Sequence, residues 1–194
     1  MKPLQLILDA DDVCADTTQK ALDWYNRKNQ TDIKIEQVLD WDLSLVQKPG
    51  TNIASCFEQP GFFRELPVKE MAPFYIQKLI EDGHNVVIAT SSSKNGIMDK
   101  IDWFEEHFPF IPFQNIIPIT RKDLLKGDIM LDDAPHNLKT SQCRYPVIFD
   151  NYWNRNTEGS YAFLKGLKRI YSWKEFYEFV CEVAQKEKPE LQVS

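Results

Sequence analysis

The chain has 194 residues, 43% hydrophobic and 12% aromatic, with a formal net charge of −6. That apolar content excludes a disordered chain and suffices for one core with room for an inserted subdomain. The acidic balance excludes the broad basic face that a nucleic-acid polymer or an anionic membrane requires, though not a small anion held by local charge or a metal.

The run from Leu4 to Leu8 reads as a fully buried strand, and it leads straight into Asp9, Asp11, Asp12 and Asp16. Clustered carboxylates repel one another and resist desolvation, so either water or a positive charge sits among them. From Cys14 to Pro67 no convincing strand occurs, yet Trp24, Tyr25, Trp41, Phe57, Phe62 and Phe63 make the stretch too aromatic for a solvated linker. It reads as a mostly helical cap, about residues 15–70, inserted after the first strand. The core of the single domain would then comprise about residues 1–14 and 71–194.

Beyond the insertion, Ala72, Ile76, Leu79 and Ile80 follow helical spacing, with Gly83 as a stop. Val86 to Ala89 is a second buried strand, followed by Thr90-Ser91-Ser92-Ser93. Ile97, Ile101, Phe104 and Phe108 form a second helical stripe that Pro109 ends, and Ile116-Ile117 suggests a short strand. Ile129 to Leu131 is a strand followed by Asp132-Asp133, with Pro135 placed to open a helix that an aspartate would cap. Val147 to Phe149 is another strand, followed by Asp150. Ser172-Trp173-Lys174-Glu175 is a capping box ahead of Phe176, Phe179, Val180 and Val183. Strands alternating with helices indicate an α/β fold with a parallel sheet.

Cys14, Cys56, Cys143 and Cys181 lack CxxC spacing and read as reduced thiols rather than a disulfide or zinc site. The N-terminal apolar run is too short for a signal peptide and no stretch approaches membrane-spanning length, so a cytoplasmic protein without a membrane partner is expected. A homodimer is left open. His84, His107 and His136 show no metal-ligand spacing and receive no role.

In an open parallel sheet all strand C-termini share one edge, where ligands bind. Asp9, Asp11, Asp12, Thr90, Ser91, Asp132, Asp133 and Asp150 therefore converge. So many carboxylates need a counter-charge, and oxygen donors of this kind suit Mg²⁺. Hydroxyls at Thr90 and Ser91, with a lysine from Arg121-Lys122 or Lys126, could hold a phosphoryl group, and a carboxylate beside a metal-neutralised phosphoryl can act as nucleophile. A single aspartate at a strand end is usually a turn or cap residue; the ordered set carries the functional reading.

Asp9-Ala10-Asp11-Asp12-Val13, Thr90-Ser91, Lys122 and Asp132-Asp133 together resemble the four motifs of haloacid dehalogenase (HAD) superfamily phosphatases. Asp16, Phe62-Phe63-Arg64-Glu65-Leu66 and Ile119-Thr120-Arg121-Lys122 bring the likeness closer to the 5'(3')-deoxyribonucleotidase family and its bacterial nucleotidase relatives. The resemblance spans about residues 4–150 and implies a Rossmann-like HAD fold. It also implies Asp9 as nucleophile, Asp11 as general acid and then base, and Thr90, Ser91 and Lys122 on the phosphoryl group. Mg²⁺ would be held by Asp9, the carbonyl of Asp11 and one of Asp132 and Asp133, with Asp133 favoured. Many relatives have glycine where this chain has Asp12, which puts the turn geometry in question. Trp41, Phe62 and Phe63 are candidates for the substrate pocket, although cap or core packing is the favoured reading of these rings and of Trp153, with one or two of them left to line the pocket.

The implied substrate is a nucleoside monophosphate. Another small phosphate ester, such as a sugar phosphate, is the alternative within the same chemistry. A receiver-type signalling module shares an acid pair, a hydroxyl, a lysine and Mg²⁺, but lacks a second acid pair after a late strand and an inserted cap. A catalytically silent phosphate-binding protein would have no reason to keep every catalytic residue type.

Overall fold

A computed structural model describes residues 2–186 of the chain. Six strands form one sheet: β1 (Gln5–Leu8), β2 (Asn85–Thr90), β3 (Ile116–Pro118), β4 (Ile129–Asp132), β5 (Tyr145–Phe149) and β6 (Lys168–Ile170), in the order β3-β2-β1-β4-β5-β6. Every pairing is parallel, with Leu8 aligned to Ile88 on one side and Leu131 on the other. The order reverses at β1, so the crevice of the sheet opens at the ends of β1, β2 and β4.

Five of these strands coincide with the apolar runs read from sequence. The sixth, β6, has only three residues, Lys-Arg-Ile, of which Ile170 alone is fully buried. An edge strand so short carries no hydrophobic signature.

The strands alternate their side chains between two apolar layers. Leu6, Leu8, Ile88 and Leu131 face one layer, which is filled by α2 (Ala72–Glu81), α3 (Lys94–His107) and α5 (Trp173–Lys186) through Ile76, Trp103, Phe104, Phe176 and Val180. Ile7, Ala89, Met130 and Ile148 face the other, thinner layer, covered by Leu138 of α4 (Pro135–Thr140) and by Leu164. Both faces of the central strands are dry, which is why they read as continuous apolar runs.

The cap before α5 differs in detail from a capping box. Ser172 Oγ accepts from Glu175 N at 3.3 Å, but the Glu175 carboxylate reaches past Ser172 to accept from Tyr171 N at 2.8 Å. Neither aspartate of the 132–133 pair caps α4 from the N-cap position, which Ala134 occupies; Asp132 instead accepts from Ala134 N at 2.8 Å.

Between β1 and α2 the chain forms α1 (Thr17–Asn29) and four short 3-10 turns. Two chain passes close the stem of this insertion: Asp16 N donates to Pro67 O and Lys69 N to Cys14 O, each at 2.9 Å, and the Lys69 ammonium pairs with Asp16. The insertion leans on α3, where Trp103 Nε1 donates to Leu66 O at 2.8 Å. Gly96 of α3 makes room for Phe63 of the insertion, since a Cβ there would clash with Ser92 Oγ and lie 2.8 Å from the Phe63 ring. None of the helices among the described residues is long and apolar enough to cross a membrane. All four cysteines are free thiols.

Candidate active site

The end of β1 places Asp9 at the floor of a cavity of about 450 Å³. Asp11, Asp12, Ser91 and Lys122 line the same cavity from the core, and Trp41, Phe57 and Phe63 line it from the insertion. This is the size of an ordinary small-molecule site.

Asp9 Oδ1 accepts from its neighbour's amide, Ala10 N, and from the Lys122 ammonium, both at 2.7 Å. Lys122 also donates to Asp132 Oδ2 at 2.8 Å, so one buried lysine bridges two buried acids. Lys126, the alternative considered from sequence, is exposed. Burial raises the Asp9 pKa; Lys122 draws it down, but Asp132 and Asp11 push it up again, and it stands at about 7. Burial works against the charge on Lys122, yet Asp132 and Asp9 outweigh it and hold the pKa above the usual lysine value.

The turn after Asp9 is shaped by Asp12, which adopts φ +54°. This is the left-handed region that glycine favours and that aspartate tolerates better than most residues. The side chain of Asp12 fixes the turn to α1: Oδ1 accepts from Thr18 N at 3.0 Å and Oδ2 from Thr18 Oγ1 at 2.7 Å. Asp12 thus caps the helix from four residues upstream of its N-cap position, Asp16, whose side chain makes no cap bond. Burial, opposed by the Thr18 bonds, raises its pKa to about 6.

Asp11 is half-buried and held between Thr17 Oγ1, at 2.8 Å from its Oδ1, and the Lys100 ammonium on its Oδ2. Lys100 also donates to Thr90 Oγ1 at 3.0 Å and to the Ser91 carbonyl at 2.9 Å. Sequence reading passed over Lys100. It is 1% exposed, and its signal lay in its position. It falls three residues after Ile97 and four before Phe104, on the apolar stripe of α3, where a solvated lysine has no place.

Of the residues proposed for the phosphoryl group, Ser91 and Lys122 line the cavity, whereas Thr90 is buried behind it with its hydroxyl taken by Lys100. The aromatic candidates also divide. Trp41 and Phe63 face the cavity. Phe62 does not: its ring packs edge-on against Phe57 and Phe63, with the Lys20 ammonium over it at 5.0 Å. Its place in the pocket is taken by Phe57, which stacks on Phe63 at 5.8 Å. His136, given no role from sequence, lies at the cavity opposite the insertion with its ring 5.5 Å from that of Trp41.

One carboxylate oxygen each of Asp9, Asp132 and Asp133 lies within 4.8 Å of the others. Asp133 Oδ2 accepts from Trp153 Nε1 at 2.8 Å, and its Oδ1 is buried with no hydrogen-bond partner. Burial, then Asp12, Asp132 and Asp9, push the Asp133 pKa well above the usual carboxylate value. Five carboxylates, at Asp9, Asp11, Asp12, Asp132 and Asp133, thus meet two ammonium groups, Lys100 and Lys122. An orphaned carboxylate oxygen within such an excess of negative charge fits a divalent cation held by oxygen donors.

Comparison with known proteins places the chain in a family. The family described as 5' nucleotidase, deoxy (pyrimidine), cytosolic type C protein matches residues 2–187. A 5'(3')-deoxyribonucleotidase of Clostridium acetobutylicum is 32% identical over 148 residues, 73% of this chain and 81% of that protein. The 5'(3')-deoxyribonucleotidase of Bacillus subtilis is 28% identical over 171 residues, 88% and 94% of the two chains. Among solved structures, a HAD family hydrolase from Deinococcus radiodurans with bound phosphate and sodium superposes with a TM-score of 0.62 at 11% identity, covering 95% of this chain and 97% of its own. A Bacillus subtilis HAD hydrolase bound to magnesium gives 0.53, also at 11% identity, covering 93% and 99%. The chain has the HAD fold and belongs to the 5' nucleotidase, deoxy (pyrimidine), cytosolic type C family.

Proposed function

We propose that this phosphomonoester hydrolase is a Mg²⁺-dependent 5'(3')-deoxyribonucleotidase that works through an aspartyl phosphate on Asp9. The observation that carries the reading is Asp9 itself. It is a buried carboxylate at the switch point of the sheet, held on one oxygen by Lys122 and Ala10 N, with Asp11 two residues away in the same cavity. Family membership and the names of the relatives from Clostridium and Bacillus support the substrate class.

In the first step a carboxylate oxygen of Asp9 attacks phosphorus, the ester P–O bond breaks, and Asp11 gives its proton to the departing alkoxide. In the second, Asp11 takes a proton from water, which attacks the acyl phosphate and releases inorganic phosphate and free Asp9. Lys122 and Ser91 steady the phosphoryl oxygens. Lys100 and Thr17 keep Asp11 in place between the two steps. Asp9, Asp133 and the carbonyl of Asp11 would hold the Mg²⁺, which supplies charge neutralisation for acids and phosphoryl group alike.

The insertion, about residues 15–70, acts as a cap on the core formed by residues 1–14 and 71–194. It narrows the cavity to a small ester, and Trp41, Phe57 and Phe63 offer flat faces to a base. Such stacking is worth about 1–3 kcal/mol in nucleic-acid binders. We assign deoxynucleoside monophosphates, with pyrimidine forms such as dUMP or dTMP preferred, as substrates, and the cytoplasm as the place of action.

The test is Mg²⁺-dependent phosphate release from dUMP, UMP and a hexose phosphate, with Asp9→Asn as the blank. dUMP should show the highest kcat/KM. A hexose phosphate favoured tenfold, about 1.4 kcal/mol of discrimination, would overturn the nucleotidase assignment and leave the phosphatase. Full activity in the presence of chelator would overturn the metal assignment.

A further inference from the structure

Asp132 and Asp133 are adjacent and both 0% exposed, yet their carboxylates are satisfied in opposite ways. Asp132 meets a full positive charge, the Lys122 ammonium, together with Ala134 N and the amide of Asn137. Asp133 meets a single neutral donor, the indole N–H of Trp153, on Oδ2, while Oδ1 receives nothing. A buried anion with one neutral donor is costly unless a cation completes it. The neutrality of that donor matters. It restrains the rotation of the carboxylate as a lysine would, but it does not cancel the charge.

The backbone of Asp133 is gripped from the same place. Residues Tyr152–Asn154 form a short 3-10 turn just after β5. Asn154 Nδ2 donates to the Asp133 carbonyl at 2.9 Å and to the Phe149 carbonyl at 2.8 Å. Asn154 Oδ1 accepts in turn from Arg169 Nη1 at 2.7 Å and from Asn151 N at 3.2 Å. Two consecutive residues therefore bracket Asp133 at its carbonyl and its carboxylate, and the bracket is bolted to β5 and β6. The indole cannot drift without straining that network.

We propose that Trp153 is a positioning residue for cation binding: its indole N–H holds Oδ2 of Asp133 so that Oδ1 is presented, with its charge intact, to a divalent metal. The proposal rests on the metal reading above. Donors behind a metal ligand commonly contribute about 10–100-fold to affinity.

The test is direct titration of Mg²⁺, and of Mn²⁺ as a spectroscopic probe, into the full chain by calorimetry and electron paramagnetic resonance. Trp153→Phe removes the N–H and some bulk. Trp153→β-(3-benzothienyl)alanine replaces the N–H with sulfur at nearly unchanged shape, which separates the hydrogen bond from packing. Both should weaken metal binding about tenfold or more, and the benzothienyl variant does so with the packing of the ring retained. Asp133→Asn provides the reference for a lost ligand. Affinity within twofold of the parent in the benzothienyl variant overturns the role of Trp153, even if Trp153→Phe binds weakly. Absence of saturable binding by the unaltered chain overturns the metal reading and this inference with it.

Discussion

The two edges of the sheet use polar residues for different ends. At the N-terminal edge, Leu4 N donates to His84 Nδ1 at 3.1 Å, Gln5 N to Asp128 Oδ2 at 2.7 Å, and the Asn115 amide to the Val86 carbonyl at 2.8 Å. Each contact serves a backbone group that the ladder leaves open at a strand end. At the C-terminal edge the backbone is served too, by Asp9 N donating to Leu131 O at 2.9 Å and by Asn154 Nδ2 donating to the Phe149 carbonyl, but the carboxylates are not: five acids share two ammonium groups, and one oxygen is orphaned. Polar groups that close a strand end stabilise the fold. Acids that outnumber their cations around an unmet carboxylate oxygen mark where a cation belongs.

Asp9→Asn should break this comparison most sharply. Turnover should fall about a thousandfold or more, as expected for loss of a nucleophile, while the metal-free protein melts at the same temperature or higher, because a carboxylate whose pKa burial lifts to about 7 is removed. Steady-state kinetics and calorimetry on one preparation decide it. A variant that both loses activity and melts several degrees lower would make Asp9 a structural residue.

Asp11→Asn should cost about 10²–10⁴-fold on an alkyl phosphate, the usual range for a general acid. On an activated aryl phosphate, whose leaving group needs no proton, the loss should be much smaller. Equal losses on both esters would remove Asp11 from the proton transfer and leave it only its place between Thr17 and Lys100.

Metal and pH sharpen the comparison next. Burial raises the folded-state pKa of Asp9 to about 7 and of Asp12 to about 6, and raises that of Asp133 well above the usual carboxylate value. Stability from a group whose folded pKa is raised is full below its unfolded value, near 3.8, and is lost as pH rises through the folded value. The metal-free protein should therefore become less stable between about pH 4 and pH 7. Mg²⁺ binds the ionised acids, so the stabilisation it adds should grow over the same interval. Melting curves with Mg²⁺ and with chelator, at pH 5 and pH 7.5, test this. An equal Mg²⁺ shift at both values would sink it.

What the sequence made legible follows from the same contrast. The central strands could be read because they are dry on both faces, and Asp9, Asp132 and Asp133 because a parallel sheet gathers its strand ends. Lys100 could not, since a lysine on a helix is ordinarily solvated and only its place on the stripe with Phe104 betrays it. Phe62 and Phe63 are sequence neighbours at the start of a 3-10 turn, where no apolar period tells which ring faces the cavity. Trp153 acts on an aspartate twenty residues away through one N–H, and no local pattern encodes that.

His84 offers the smallest effect and the cleanest control, because it lies at the edge where nothing catalytic is expected. Its Nδ1 accepts from Leu4 N, so its Nε2 bears the proton, and that atom is buried without a partner. Burial lowers its pKa from the usual 6.5, against the pull of Asp82 and Asp128. Stability from a group with a depressed folded pKa is present above the unfolded value and is lost as pH falls below it, the sign opposite to that of the buried acids. His84→Gln keeps an acceptor for Leu4 N and removes the titration. The parent should lose stability relative to His84→Gln as pH falls below the unfolded value near 6.5, read as a lower melting temperature of the parent relative to the variant on the acid side. Taking the difference between the two proteins cancels the contribution of the acids, which both share. Activity at saturating substrate should be unchanged. A difference that stays flat with pH, or a variant with impaired turnover, would erase the division between the two edges of the sheet.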